Sequence, residues 1–155
     1  MFLHPLSRAV RNRIFLIEAS AQFLDKETLS LAAAKRMAAA AEAEAAKNKW
    51  TMVIVVLDDS GYLINLERMD DAQIGSIDVA QGKALTAVRF KRPSRFFEDA
   101  LAASHLGVIT LGDITAIRGG LPVIVGGKAV GAIGVSGGDP EQDERCAEAG
   151  LAALH

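Results

Sequence analysis

An arginine and two aspartates stand close together near the middle of the chain, in the run Arg68-Met69-Asp70-Asp71. A guanidinium is a planar fork that suits a carboxylate, and Lys83 can add a second positive charge. In an enzyme, Asp70 or Asp71 can act as the base while Arg68 and Lys83 hold a substrate carboxylate, as in a tautomerase or isomerase. The same residues also suit a surface ion pair of Arg68 with an aspartate and a solvated Lys83. Both interpretations stay open.

Two consecutive glycines, Gly119 and Gly120, are candidate partners of these charges. Without side chains, their backbone amides can approach an anion closely. Taken with Arg68 and Lys83, they predict a site for a small anionic ligand.

Glu141 and Glu144 have a spacing that puts both carboxylates on one face of a helix. Such a pair can supply metal ligands, although two exposed carboxylates alone bind weakly. A solvated pair near a helix N terminus is the other interpretation. The sequence lacks the nucleophile-elbow, zinc-protease and phosphate-loop motifs, so it gives no support to a hydrolase or nucleotide-binding function.

The elements that must position these residues are clearest in the stretch GGLPVIVGGKAVGAIGVSGGDPEQD, residues 119–143. Gly126 and Gly127 separate two apolar runs, which predicts a hairpin. Gly131 and Gly134 lie inside the second strand, where each costs about 0.5–1 kcal/mol relative to alanine. We therefore expect another backbone or a flat ligand to approach the sheet there.

The rest of the chain predicts alternating clusters of helices and strands. Apolar spacing favours a helix over residues 28–47, and β-branched runs predict strands over 52–57 and 62–69. Ser76 and Ser94 can each begin a helix. Residues 108–111 can return as a strand, and Asp139, Pro140 and Gln142 are typical of a capped helix start. The prediction is an α+β fold in which helices flank an antiparallel five-stranded sheet.

Composition sets the broad class of the protein. The chain has 155 residues, of which 50% are hydrophobic, and this suits one domain with one core. A formal charge of -2 gives no overall basic field for nucleic acid, and no apolar run is long enough to span a membrane. Cys146 is the only cysteine, so an intrachain disulfide is excluded and a reducing, cytoplasmic compartment is predicted.

The first 27 residues form a separate segment in this interpretation, and residues 28–155 form the domain. Arg8, Arg11 and Arg13 precede an apolar run that Glu18 interrupts, so the run is too short for the core of a signal peptide. We expect an added helix or arm that packs on the domain or a neighbouring subunit. An amphipathic membrane contact is the alternative.

The glycine-rich stretch and the upstream run VIVVLDDSGYLINLERMDDAQIGSIDVAQGKALTA together resemble the GlcG/HbpS family, which includes the C-terminal domain of PduO proteins. The resemblance covers residues 29–154. It implies a profilin-like or PAS-like arrangement and a homo-oligomer, since the family includes octameric members. Some members bind haem, and others are linked to corrinoid or small-acid metabolism.

Haem needs an axial ligand, and some relatives place a histidine on the first helix, where this chain has Lys35, Arg36 and Met37. His105 is the internal candidate, and Met69 is a possible soft ligand. An ordinary helix-end histidine and a packed methionine are the alternatives. The resemblance therefore implies a protein that binds haem or a related acid-bearing tetrapyrrole. A small-carboxylate catabolic enzyme or accessory factor is one alternative, and a purely structural oligomerisation domain is another.

Overall fold

The computed structural model describes residues 24–155. Apart from the strand predicted over residues 108–111, its helices and strands follow the predicted order. Their bounds are α1 Leu31–Lys47, β1 Val53–Asp58, β2 Leu63–Arg68, α2 Ser76–Phe90, α3 Arg95–Ala102, β3 Gly120–Val125, β4 Lys128–Ser136 and α4 Pro140–Ala152. A short 3-10 helix, Leu106–Thr110, follows α3. The N-terminal segment and its predicted arm or membrane contact lie largely outside the described residues.

Within residues 24–155 the sheet has four antiparallel strands, in the order β2-β1-β4-β3. The prediction of five strands is wrong, because residues 108–111, expected to return as a strand, belong to the 3-10 helix and its end. Gly107 and Gly112 flank that segment, and its backbone bonds locally, from Leu111 N–H to the Val108 carbonyl. It therefore never reaches a sheet edge.

Both faces of the sheet are covered by helices of the same chain. Ile54 and Val56 of β1 point into the core that α1 and α4 cover, and Val53, Val55 and Leu57 point toward α2. This alternation explains why β1 is buried along both sides. Cys146 packs in the first core, and burial raises the pKa of its thiol to about 12.

The turns and caps follow the predicted chemistry in most places. Gly126 and Gly127 join β3 to β4 with φ of 54° and 78°. At α4, the Gln142 side-chain oxygen accepts the Asp139 N–H at 3.1 Å, which completes the expected capping box. Ser76 is the first residue of α2 and makes no side-chain cap, since Gly75 occupies the cap position.

No helix in residues 24–155 combines the length and the apolar character that a membrane span requires.

Candidate functional site

The ends of four elements meet at one end of the sheet. Val53, at the start of β1, pairs with Arg68 at the end of β2 and with Ser136 at the end of β4. β3 starts at this end too, because Gly120 pairs with Gly134. The two sequence stretches that carried the predicted site are therefore brought to the same region of the fold.

A buried ion pair between Lys83 and Asp143 lies at this end. The Lys83 Nζ is 2.6 Å from the Asp143 Oδ2 and donates a second hydrogen bond to the Val135 carbonyl at 3.1 Å. The two side chains are only 1% and 3% exposed. Lys83 is thus neither a solvated side chain nor an open charge, because its ammonium is neutralised inside the protein.

Asp143 connects α4 to the rest of the sheet end. Its Oδ1 accepts the Gly138 N–H at 3.0 Å, while its Oδ2 holds the lysine. Burial raises the pKa of the Asp143 carboxyl above its ordinary value, and the Lys83 hydrogen bond and charge act in the opposite direction. The carboxylate therefore holds the first turn of α4, the loop after β4 and helix α2 together.

Gly119 and Gly120, the glycines of the predicted anion site, allow Lys83 and Asp143 to pack closely against the start of β3. Gly119 has φ of 113°, and a Cβ there would lie 3.2 Å from the Lys83 Nζ. A Cβ on Gly120 would overlap the backbone of Lys83. The Gly120 N–H donates to the Ser94 hydroxyl at 2.9 Å, so this amide already has a partner.

Arg68, Asp70 and Asp71 are exposed at the end of β2 and in the following loop. None of the three forms an ion pair with another residue in the range 24–155, so the expected Arg68–aspartate pair is not formed there. Lys83 does not join them, because its ammonium is bound beneath the surface. Met69 is packed against the core, and its sulfur accepts the Met52 N–H at 3.4 Å.

Glu141 and Glu144 face Arg118 from the first turns of α4. The Arg118 Nη1 lies 3.6 Å from the Glu141 carboxylate and 4.0 Å from that of Glu144. Arg118 also binds Glu98 through its Nε at 3.0 Å. Within residues 24–155, no group of three or more acidic, histidine or cysteine side chains is placed to hold a metal ion. The pair is therefore part of an arginine-centred charge cluster.

Glu144 is the most buried carboxylate around Arg118 in the described part of the chain. Its side chain is 9% exposed, and its Oε1 has no hydrogen-bond partner in residues 24–155, although the Arg95 Nη1 lies 3.5 Å away. Burial raises the pKa of Glu144 above its ordinary value, against the opposing effects of Arg95 and Arg118.

We expect Glu144→Gln to change the pH dependence of stability. Because the folded-state pKa is raised, the carboxyl contributes stability below its unfolded-state pKa, and this contribution is lost as the pH rises through the folded-state pKa. The free energy of unfolding of the wild type, relative to Glu144→Gln, should therefore be higher at about pH 4 than at about pH 7. Urea unfolding at both pH values measures this. An equal difference at the two values would contradict it.

His105 lies in a different region, at the junction of α3 and the 3-10 helix. Its side chain is exposed and makes no hydrogen bond with another residue of the described part. α3 and the segment up to residue 117 also expose a set of large apolar side chains, and we call this the α3 surface: Phe96, Leu106, Ile109, Leu111 and Ile117. A cavity of about 260 Å³ opens there between Leu101 and Ile114.

The family model described as "Haem degrading protein HbpS-like" matches residues 29–152. The chain belongs to the HbpS-like family. This confirms the resemblance drawn from the glycine-rich stretch and the run upstream of it.

Three relatives show how close the HbpS-like chain is to known proteins. It is 38% identical to Protein GlcG of Escherichia coli K12 over 111 residues, which are 72% of this chain and 83% of GlcG. A double mutant of Streptomyces reticuli HbpS superposes with a TM-score of 0.83 and 30% identity, covering 90% of this chain and 96% of that one. The structure of a PduOC:haem complex superposes with a TM-score of 0.74 and 28% identity, covering 81% of this chain and 94% of that one.

Of the two side chains predicted as axial haem ligands in this HbpS-like chain, one has a donor atom that is available to iron. The imidazole of His105 is exposed and unengaged by the described residues, so a ring nitrogen is available to iron. The Met69 sulfur is packed and bonded to a backbone amide, so it offers no open donor. His155 is also exposed and lines a cavity of about 370 Å³ with Leu151 and Leu154, which makes it the natural comparison.

Sequence reasoning missed Asp143, Arg118 and the α3 surface. A signal for the buried pair was present, since Lys83 follows Ala80 and precedes Ala84 and Ala87 at the spacing of one helix face. A lysine on an apolar face needs a partner when it is buried. Which residue is that partner depends on how α4 meets the sheet, and no local sequence pattern contains that information.

Proposed function

We propose that this HbpS-like chain binds haem, or a related tetrapyrrole with acid side chains, on the α3 surface. The observation that carries the proposal is the position of an exposed histidine, which no residue from 24 to 155 engages, next to a run of exposed apolar side chains. Ile109 is 71% exposed and Leu106 is 65% exposed, and both belong to the 3-10 helix that starts after His105, where residues three apart share a face. A flat apolar ligand would cover this surface, and His105 would be its donor to iron.

The apolar side chains of the α3 surface would bury the ligand. Phe96 exposes its ring on α3 and packs edge-on against Phe97, with the two ring centres 5.3 Å apart. A haem bound there would supply a redox-active iron, whereas the chain supplies the imidazole and the apolar contact. The haem complex of PduOC, which has the same fold, supports this function for the family. Self-association would cover more of the α3 surface, and we keep the homo-oligomer as part of the proposal.

Hemin titration of the purified protein tests the proposal. We expect a stoichiometric shift of the Soret band that persists through gel filtration. His105→Ala should weaken hemin binding by about tenfold or more and should change the Soret spectrum, because the iron loses its protein donor.

His155→Ala is the matched control, because it removes another exposed histidine beside an apolar cavity. It should bind hemin as the wild type does. Circular dichroism confirms that both variants are folded. If His105→Ala keeps the wild-type affinity and spectrum, or if His155→Ala alone loses them, the assignment to the α3 surface is overturned.

A further inference from the structure

Four basic side chains lie at the corner between α2 and α3, in the sequence RFKRPSRF. We call the group Arg89, Lys91, Arg92 and Arg95 the basic corner, and all four side chains are exposed. Lys91 ends α2 with φ of 54°, which turns the chain sharply. Pro93 then fixes the backbone before α3 begins. The corner is therefore built by the chain reversal between two helices.

Two of the four side chains of the basic corner form ion pairs with described residues and two do not. Arg89 lies 3.4 Å from Asp113, and Arg95 lies 3.5 Å from Glu144. Lys91 and Arg92 form no ion pair with any described residue. In a protein whose formal charge is -2, two adjacent cations with no acidic partner in residues 24–155 make a local positive site.

Arg92 is also held in position by its own chain. Its guanidinium carbon lies 4.4 Å from the centre of the Phe96 ring, and its Nε donates to the Phe90 carbonyl at 3.3 Å. A stacked guanidinium keeps terminal N–H groups free to bind a carboxylate in bidentate form. Less side-chain freedom is then lost when an anion binds.

The basic corner and His105 stand at opposite ends of the same helix. α3 has 8 residues, and at about 1.5 Å per residue it separates them by about 12 Å. Phe96, which carries the stacked Arg92, belongs to the α3 surface. α3 lies beside β3, because the Ser94 N–H donates to the Gly120 carbonyl. Arg68, which the sequence suggested for binding carboxylates, ends β2, and β2 is the strand at the opposite edge of the sheet from β3.

We propose that Lys91 and Arg92 bind the carboxylates of the ligand on the α3 surface, so that the site selects tetrapyrroles with free acid groups. This inference rests on the proposed function. It assigns the selectivity for the acid side chains to the basic corner and leaves the iron to His105.

Hemin and its dimethyl ester test the inference, because they share the iron and the flat ring and differ in the acid groups. The wild type should bind hemin about tenfold more tightly than the ester, and the preference should shrink as salt rises. The double variant Lys91→Gln with Arg92→Gln should lose most of the preference and keep the His105-dependent Soret band.

Lys35→Gln with Arg36→Gln is the matched control, since it removes two exposed cations from α1. It should leave both affinities unchanged. If the wild type binds neither compound, the proposed function fails and the inference fails with it. If the wild type binds both equally, or if the α1 control loses as much preference as the corner variant, the inference alone is overturned.

Discussion

Asp143→Ala is expected to lower the free energy of unfolding by about 3–5 kcal/mol, because it leaves the Lys83 ammonium buried without its counter-charge. The lysine side chain is only 1% exposed, so it cannot reach solvent without moving helix α2. For a domain of this size, the loss corresponds to a fall in Tm of roughly 10 °C. Urea unfolding and thermal scans followed by circular dichroism measure both quantities.

A second variant separates a buried charge from a general defect at the sheet end. Lys83→Met combined with Asp143→Leu removes both charges and puts apolar side chains of similar shape in their place, so its stability should lie closer to the wild type than that of Asp143→Ala. The Gly138 N–H then loses its acceptor and the Val135 carbonyl loses its lysine donor, which leaves a residual cost of about 1–3 kcal/mol. If the double variant is as unstable as Asp143→Ala, the ion pair does not explain the loss.

The sequence predicted the framework of the fold and the family, since both depend on local or near-local patterns. The hairpin at Gly126 and Gly127 and the capping box at Asp139 and Gln142 follow from backbone chemistry within a few residues. The prediction of a fifth strand was wrong because a strand also depends on a distant partner, which no local pattern specifies. The β-branched and apolar residues at 108–111 have strand propensity, but their neighbours supply no partner strand.

Side-chain roles were harder to predict than elements, because they depend on where distant segments meet. Lys83 looked like an open charge, yet its partner Asp143 is supplied by α4, on the other side of the sheet from α2. The exposure of His105 also depends on tertiary structure, since the same sequence would suit a histidine packed at a helix end. The basic corner becomes a candidate only when Arg92 is seen stacked on Phe96.

Gly134→Val is expected to destabilise the protein by about 3 kcal/mol or more, through a clash between helix α2 and the sheet. A Cβ at Gly134 would overlap the Ala80 carbonyl oxygen and lie 2.7 Å from the Ala84 nitrogen. Both contacts are backbone atoms inside α2, so no side chain can rotate to relieve them. The helix must shift, and the apolar packing of Ala80 and Ala84 against Val55 loosens with it. Thermal unfolding and near-ultraviolet circular dichroism follow this change.

Gly75→Ala is the control for this prediction, because a Cβ there meets no atom within 4 Å and the backbone has an ordinary φ of -62°. It should lower stability by no more than about 1 kcal/mol, the usual cost of replacing a favourable N-cap residue with alanine. The comparison also decides why β4 contains Gly134. If the glycine serves the chain's own helix, as the geometry indicates, Gly134→Val weakens the isolated protein before any ligand or partner is added. If its purpose were to admit a ligand or a second subunit, the variant would keep the wild-type Tm and lose only hemin binding or assembly.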